Sequence, residues 1–200
     1  MKKVIVFFFP FLGVIAFAQN DNSSYKDSLQ KFRQDYIHTH DVVKGSDTVF
    51  LKFFPIDEAY RVYADFEKVN DEAGFSMNTS SGKIHKYFKY GKVTFMLKNK
   101  TYHLFIYQSE RLLKTEKYKD YLLLPFTDST SGNESHGSGR YVDFRTGDIH
   151  NNLLEIDFNK AYNPSCAYEA GYSCPIPPKE NDLELAVNAG EKLYGKPYNK

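Results

Sequence analysis

Four side chains able to bind or transform a ligand fall within one stretch of thirteen residues that is rich in serine, threonine and glycine: Asp128, Glu134, His136 and Arg140. Polar, glycine-rich segments bring backbone N–H groups close to an anion, and an arginine can bind a carboxylate through two parallel hydrogen bonds. The stretch therefore predicts a small-ligand site. The structural alternative is a surface loop in which Arg140 pairs with Asp128 or with Asp157. We expect Arg140 to form a buried or half-buried ion pair, with Asp157 as the preferred partner.

A second polar segment, 157–166, carries Asp157, Asn159 and Asn163. Aspartate and asparagine side chains bond nearby backbone N–H groups and so hold irregular loops in shape, which is the structural interpretation. The functional interpretation is that the three side chains line a cleft floored by a sheet. We expect this segment and the stretch at 127–140 to form one candidate ligand site.

Two cysteines, Cys166 and Cys174, are separated by seven residues. An oxidising compartment turns such a pair into a disulfide, which is the expected state. A nucleophilic cysteine needs a nearby base, and His136 is the one histidine in the segments described above. Free or metal-bound thiols stay open as alternatives. One histidine with two carboxylates at irregular spacing is a weak metal pattern, so we predict no metal and no cofactor.

The first eighteen residues have the pattern of a secretory signal peptide. Two lysines precede an uncharged apolar run at 4–17, and Ala18 ends a small-residue cleavage site. The run is shorter than the roughly 20 residues that span a bilayer as a helix. We expect cleavage before Gln19, export to the periplasm or cell exterior, and no membrane span in the mature chain. An uncleaved N-terminal anchor is the alternative.

Charge and composition exclude several classes of protein. The 200 residues include 26 basic and 25 acidic side chains, and removal of residues 1–18 leaves 24 and 25. A near-neutral chain lacks the basic excess that is typical of nucleic-acid binding, so we expect no nucleic-acid partner. An apolar fraction of 42% is sufficient for a folded core. Sequence motifs of serine hydrolases, nucleotide-binding loops and zinc proteases are absent.

The elements that must position these side chains are mainly strands. Helical spacing of apolar residues predicts one helix at 24–37. Gly91 is expected to form a turn, and period-two alternation without crossover helices favours antiparallel pairing. The predicted fold class is mainly β, an antiparallel sandwich or barrel-like sheet with one N-terminal helix. The expected strands lie near 49–54, 60–67, 75–79, 84–90, 93–97, 102–107, 121–125, 140–144, 153–158 and 183–187, the last with a helix as alternative.

Three segments resemble a bacterial family of unknown activity, the domain-of-unknown-function family sixteen eighty-four. They are YLLLPFTDSTSGNESHGSGRYVDF at 121–144, IDFNKAYNPSCAYEAGYSCPIPPKENDL at 156–183 and AGEK at 189–192. The resemblance covers about 48–192 and implies no agreed substrate, cofactor or catalytic residue. His136 departs from it, since the family pattern implies an aromatic residue ahead of Gly137.

These observations divide the chain into a signal peptide at 1–18, a helix and linker at 19–47, and a β-rich domain at 48–200. They predict an exported binding or structural module whose partner is a small molecule or a protein. The alternative is a hydrolase-like enzyme that uses the acidic residues and His136. Such an enzyme must bring at least two of its ionisable side chains together in one concave pocket.

Overall fold

The computed structural model describes residues 18–196, with side chains from residue 24 onward. The apolar run of the predicted signal peptide therefore lies outside the described residues. No helix between residues 18 and 196 combines the length and the apolar character that crossing a membrane requires.

The protein is mostly β, as the sequence predicts, with its helices confined to the N-terminal segment and to short connections. Among the described residues the α-helices are α1 (Ala18–Thr39) and α2 (Glu110–Leu113). The strands are β1 (Arg61–Lys68), β2 (Phe75–Asn78), β3 (Ile84–Leu97), β4 (Lys100–Ser109), β5 (Tyr121–Asp128), β6 (Arg140–Arg145), β7 (Leu153–Asp157) and β8 (Asp182–Leu183). Single 3-10 turns lie at Gly45–Phe50, Glu58–Tyr60, Glu116–Tyr118, Thr146–Asp148, Phe158–Lys160, Ser165–Ala167 and Lys179–Asn181.

Six strands form one antiparallel sheet in the order β6-β5-β4-β3-β1-β7, and β2 adds to one end of β3. The sheet curls into a half-barrel because right-handed strand twist accumulates across it. The short β8 pairs with β5 in parallel. The confirmed architecture is thus the barrel-like form of the predicted fold, with β6 and β7 as its two edges.

The inner face of the curled sheet holds the main core. Alternate residues of β1, β3, β4, β5, β6 and β7 point inward, and most are nearly inaccessible to solvent. Phe158, just after β7, packs its ring against Phe95 and Phe126 at centroid distances of 5.7 and 5.3 Å. The segment that follows β8 adds Val187 and Ala189 to this core.

A smaller, tyrosine-rich cluster covers the outer face, and the proline-rich segment 172–181 crosses it. Tyr107 donates a hydrogen bond to Glu180 at 2.7 Å, and Tyr141 donates one to the carbonyl of Pro175. The Asn181 amide bonds both backbone groups of Phe105 at 2.8 Å. This segment therefore acts as an irregular outer layer that is anchored by side-chain hydrogen bonds.

Helix α1 confirms the predicted helix at 24–37 and extends it in both directions. Leu29 is its buried apolar anchor, with 2% of its surface exposed. Tyr25 and Tyr36 carry hydrogen bonds from the helix to the body of the domain. The helix is thus docked on the half-barrel through a few specific contacts.

Two strand predictions are wrong. Residues 45–50 form a 3-10 turn, and beyond it only Phe53 makes an isolated bridge, to Glu191. The apolar residues at 49–54 instead lie along the C-terminal segment, where Leu51 and Phe54 are buried and Phe54 N donates to Gly190 O at 2.9 Å. The expected strand at 183–187 shrinks to two residues because the chain leaves β5 after Leu183.

The expected turn at Gly91 is also wrong, because β3 runs through it without interruption. The β3–β4 register shifts between Lys89 and Gly91, so the glycine marks a bulge. A Cβ atom at this position would overlap the ring of Phe66 on the neighbouring strand. Glycine therefore lets β3 bend beneath an aromatic ring, which contributes to the curl of the sheet.

We expect Gly91→Ala to destabilise the protein by about 2 kcal/mol, since the added methyl group must displace a packed ring and bend a central strand. Gly147→Ala is the matched control, because a Cβ at Gly147 would meet no atom within 4 Å. Urea unfolding of both variants measures the difference. Equal stability of the two variants would show that β3 has room to relax around Gly91.

Candidate functional site

A cavity of about 750 Å³ lies between helix α1 and the two edges of the sheet. Its walls come from Phe32 and Tyr36 of α1, from the β6 residues 142–144, and from Glu155 and Asp157 of β7. Because β6 and β7 are the first and last strands in the sheet order, the curl brings opposite edges to face each other here. Small-molecule sites have volumes of roughly 300–1,000 Å³, so the cavity is of suitable size.

Acidic side chains dominate the charged lining of the cavity. Five carboxylates line it, against one lysine and one histidine: Asp41, Asp143, Asp148, Glu155 and Asp157, with Lys160 and His150. Aromatic rings provide much of the remaining wall, including Phe32, Tyr36, Phe144 and Tyr162. A smaller groove of about 480 Å³ shares Glu155, Asp157 and Lys160 with the cavity and continues along α1. The site is therefore concave, aromatic and negatively charged.

Asp143 is a lining carboxylate that the protein holds through one of its two oxygens. Tyr121 and Tyr162 both donate hydrogen bonds to its Oδ1, at 2.7 and 2.6 Å. Within residues 18–196 its Oδ2 receives no hydrogen bond, and the carboxylate has no salt-bridge partner. The side chain is accessible yet surrounded by protein on most sides, so desolvation raises its pKa while the two tyrosines oppose that rise. A cation at Oδ2 would complete this site.

Asp157 and Asn159, predicted to bind a ligand, are occupied by contacts within the protein. Asp157 accepts a hydrogen bond from Tyr25 at 3.1 Å and caps the 3-10 turn through Asn159 N at 3.0 Å. The Asn159 amide contacts both backbone groups of Asp57 and the Tyr25 hydroxyl. Only Asp157 also lines the cavity. The pair mainly fixes helix α1 to the end of β7.

Arg140 is completely buried in an ion pair, as expected, but its partner is Asp128, so the preferred pairing with Asp157 is wrong. Its Nη2 lies 2.7 Å from Asp128 Oδ2 and 2.9 Å from the carbonyl of Val187. Its Nη1 donates to the carbonyls of Ala189 and Glu191. Burial lowers the pKa of Arg140, and the Asp128 charge opposes this. No ligand can reach either side chain, so this pair is a structural centre.

Glu134 and His136 lie apart from the cavity. Glu134 is exposed, with its carboxylate 3.6 Å from Lys192 Nζ. His136 neighbours Cys166 instead of the carboxylates that were predicted with it. Of the predicted acidic residues, His136 and Arg140, only Asp157 lines the 750 Å³ cavity. Within residues 18–196, no group of three or more histidine, cysteine, aspartate or glutamate side chains is arranged to hold a metal ion.

The predicted Cys166–Cys174 disulfide is not formed in the structure, where both thiols are free. Cys166 N donates to Cys174 Sγ at 3.2 Å, so the two residues are neighbours. The disulfide prediction rested on an oxidising compartment and on the short spacing of the two cysteines. The segment is anchored without a disulfide, since Ser80 N donates to Cys174 O at 2.9 Å and Ile176 N donates to Asn78 O at 2.9 Å.

Asn163 belongs to a buried polar cluster around Glu191, which lies in the AGEK segment. Glu191 Oε2 accepts hydrogen bonds from Tyr168 at 2.6 Å, Asn163 N at 2.9 Å and Tyr36 at 3.1 Å. Its Oε1 has no partner among the described residues. Burial raises the pKa of Glu191 to about 7, although these hydrogen bonds oppose the rise. His40 packs edge-on against Tyr168 and completes the cluster.

Sequence reasoning missed Asp143 and Glu191, the two carboxylates with unusual surroundings. The sequence could have pointed to Glu191, because it is the one acidic residue in the AGEK segment that carries the family resemblance. The indication for Asp143 is weaker, since it is only a charged residue within the apolar pattern of β6. The tyrosines that donate to Asp143 and Glu191 lie far from them in the chain, so the spacing of residues within one segment cannot predict either cluster.

Glu191 makes the stability of the protein depend on pH. The folded state binds its proton more tightly than the unfolded chain, in which the pKa is near 4.5. Its stabilisation is therefore complete below pH 4.5 and is lost as the pH rises through 7. We expect the ionisation of Glu191 alone to lower the free energy of unfolding by about 3 kcal/mol between pH 5 and 8. Glu191→Gln should remove that part of the dependence, measured by urea unfolding at both pH values.

Glu180→Gln is the matched control for this prediction. Glu180 also accepts a tyrosine hydrogen bond, from Tyr107 at 2.7 Å, but it lies at the surface. The control variant should keep the pH dependence of the wild type. Parallel pH profiles for wild type and Glu191→Gln would contradict the assignment.

Comparison with known proteins places the fold in a family. A solution NMR structure of an uncharacterized protein from Haloarcula marismortui is similar, with 28% identity, a TM-score of 0.62, and coverage of 86% of this chain and 96% of that one. A search of curated proteins finds no match. The model of the family described as "Protein of unknown function (DUF1684)" matches residues 49–192. This chain therefore belongs to the DUF1684 family.

Proposed function

We propose that the protein is an exported binding module that holds a small organic cation between helix α1 and the edges of the half-barrel. The observation that carries the proposal is the Asp143 carboxylate, which lines an aromatic cavity with one oxygen fixed by two tyrosines and the other open. The predicted segment 157–166 contributes Asp157, Lys160, Tyr162 and Ser165 to that cavity. The predicted segment 127–140 contributes no residue to it.

The chemistry of the lining favours a cation with an apolar body. Aromatic faces attract cations through the ring quadrupole, and a carboxylate in a concave, partly desolvated site strengthens the attraction. The one lysine that lines the cavity is already engaged, since Lys160 Nζ lies 5.7 Å from the centroid of the Phe32 ring. Glu155 is paired with Arg61 at 2.7 Å, and Asp148 and Asp157 accept hydrogen bonds from Arg145 N and Tyr25. Asp41 is exposed, so we take Asp143, which two tyrosines hold in place, as the anchoring charge.

The hydrolase-like alternative receives less support from the geometry. It requires His136 near a predicted acidic residue in a concave site, whereas His136 neighbours Cys166 and Asp128 is buried with Arg140. A binding function needs only the cavity and its charge. We therefore favour binding.

Asp143→Asn tests the proposal. The amide keeps an oxygen that can accept the tyrosine hydrogen bonds but removes the charge. We expect quaternary ammonium compounds and aromatic amines to raise the melting temperature of the wild type, and the variant to bind them about ten- to hundredfold more weakly by calorimetry. Neutral and anionic compounds of the same shape supply the comparison.

Glu184→Gln is the control variant, because Glu184 is an exposed carboxylate that does not line the cavity. It should bind cations as the wild type does. Preferential binding of the anionic compounds, or equal cation affinity in wild type and Asp143→Asn, would reject the cation-binding proposal.

Export rests on the sequence pattern of residues 1–18. We expect the mature protein to begin at Gln19, and to be recovered from the periplasm or the culture medium. The intact mass of the protein made by its native host decides the point. A mature protein that retains Met1 and the apolar run would refute signal cleavage.

A further inference from the structure

The two cysteines form a pair with unequal surroundings. Cys166 is half-buried at a 3-10 turn, and Cys174 is buried, with 8% of its surface exposed. Cys166 N donates to Cys174 Sγ at 3.2 Å, which holds the second sulfur beside the backbone of the first residue. The chain contains no other cysteine. Cys166 is therefore the more accessible of the two cysteines, and the Cys174 sulfur lies beside its backbone.

The polar groups around Cys166 favour its thiolate. Hydrogen bonding with the Cys174 thiol has the largest effect in lowering the pKa of Cys166, and His136 and Ser80 lower it further. His136 Nε2 is buried and has no partner of good hydrogen-bond geometry among the described residues. The tyrosines Tyr141 and Tyr87 also face the pair. An imidazole without another partner beside a thiol is the arrangement that activates cysteine nucleophiles.

The reduced form is structurally complete, so a disulfide is not needed to hold the segment. Cys174 is fixed to the turn after β2, where Ser80 N donates to its carbonyl at 2.9 Å and its own N–H reaches Ser80 Oγ at 3.1 Å. Residues 169–172, between the cysteines, are exposed, and Gly171 has φ +95°. This exposed loop is therefore the part of the segment that can change conformation without disturbing the sheet.

We propose that Cys166, Cys174 and His136 form a thiol–disulfide exchange site, with Cys166 as the attacking thiol and Cys174 as the resolving thiol. The Cys166 thiolate attacks one sulfur of a small disulfide, breaks its S–S bond and releases one thiolate, which takes a proton from solvent. Cys174 then loses its proton and attacks the Cys166 sulfur, releasing the second small thiol. Two protein thiols and one disulfide become one internal disulfide and two small thiols.

Oxidised glutathione and intact-mass analysis test the order of attack. The reduced wild type should lose the mass of two hydrogen atoms and keep no adduct. Cys174→Ser should retain one glutathione on Cys166, and Cys166→Ser should react about tenfold more slowly or less. Cys174→Ala serves as a second variant in case the serine hydroxyl perturbs the site. Equal rates for the two single-cysteine proteins, or a wild type that carries two glutathiones, would overturn the proposal.

The role of His136 is tested by the pH dependence of alkylation with iodoacetamide in the Cys174→Ser background. We expect His136→Gln to move the midpoint upward by about one pH unit, because the imidazole no longer stabilises the thiolate. His103→Gln is the control, since His103 is bound to Thr94 at 2.8 Å on the exposed face of β4. Identical alkylation midpoints with and without the His136 imidazole would show that His136 does not belong to the exchange site.

Discussion

The buried ion pair between Arg140 and Asp128 is the interaction on which the rest of the structure depends. A guanidinium taken out of water requires compensation for every donor, and removal of one partner of such a pair costs about 3–5 kcal/mol. Nη1 and Nη2 of Arg140 obtain that compensation from Asp128 and from the carbonyls of Val187, Ala189 and Glu191, whereas its buried Nε has no partner among the described residues. These partners join two sheet strands to the C-terminal segment. The pair thus dictates where residues 187–191 must lie.

The position of that segment in turn determines the buried surroundings of Glu191. Once the Glu191 carbonyl is bound to Arg140, its side chain lies where Tyr36 of α1 and Tyr168 can reach it. Helix α1 is therefore placed by a chain of contacts that begins in the core, and the cavity exists because the helix spans the gap between β6 and β7. The proposed cation site and the ion pair are linked through this helix, although neither touches the other.

The sequence predicted those features that depend on local pattern. Alternation identified most strands, and helical spacing identified α1, because each pattern is set by neighbours in the chain. The same patterns gave wrong predictions at two places. At 49–54 the apolar residues alternate as in a strand but lie along the C-terminal segment, and at Gly91 a glycine typical of turns forms a bulge. The sequence predicted a buried ion pair for Arg140 but favoured Asp157 over Asp128, because spacing along the chain does not show which of two carboxylates the sheet brings beside the guanidinium. The tyrosines around Asp143 and Glu191 come together only through long-range folding, which spacing does not reveal.

The contacts of helix α1 also impose an order on folding. Its tyrosines bind Asp157, Tyr168 and Glu191, which follow them by 132 to 155 residues. Contacts of such separation form late, because a long loop must close before they contribute any stability. Helix α1 is thus among the last of the described elements to find its partners, although it precedes all of them in the chain. Until those partners have folded, only the internal hydrogen bonds of the helix stabilise it.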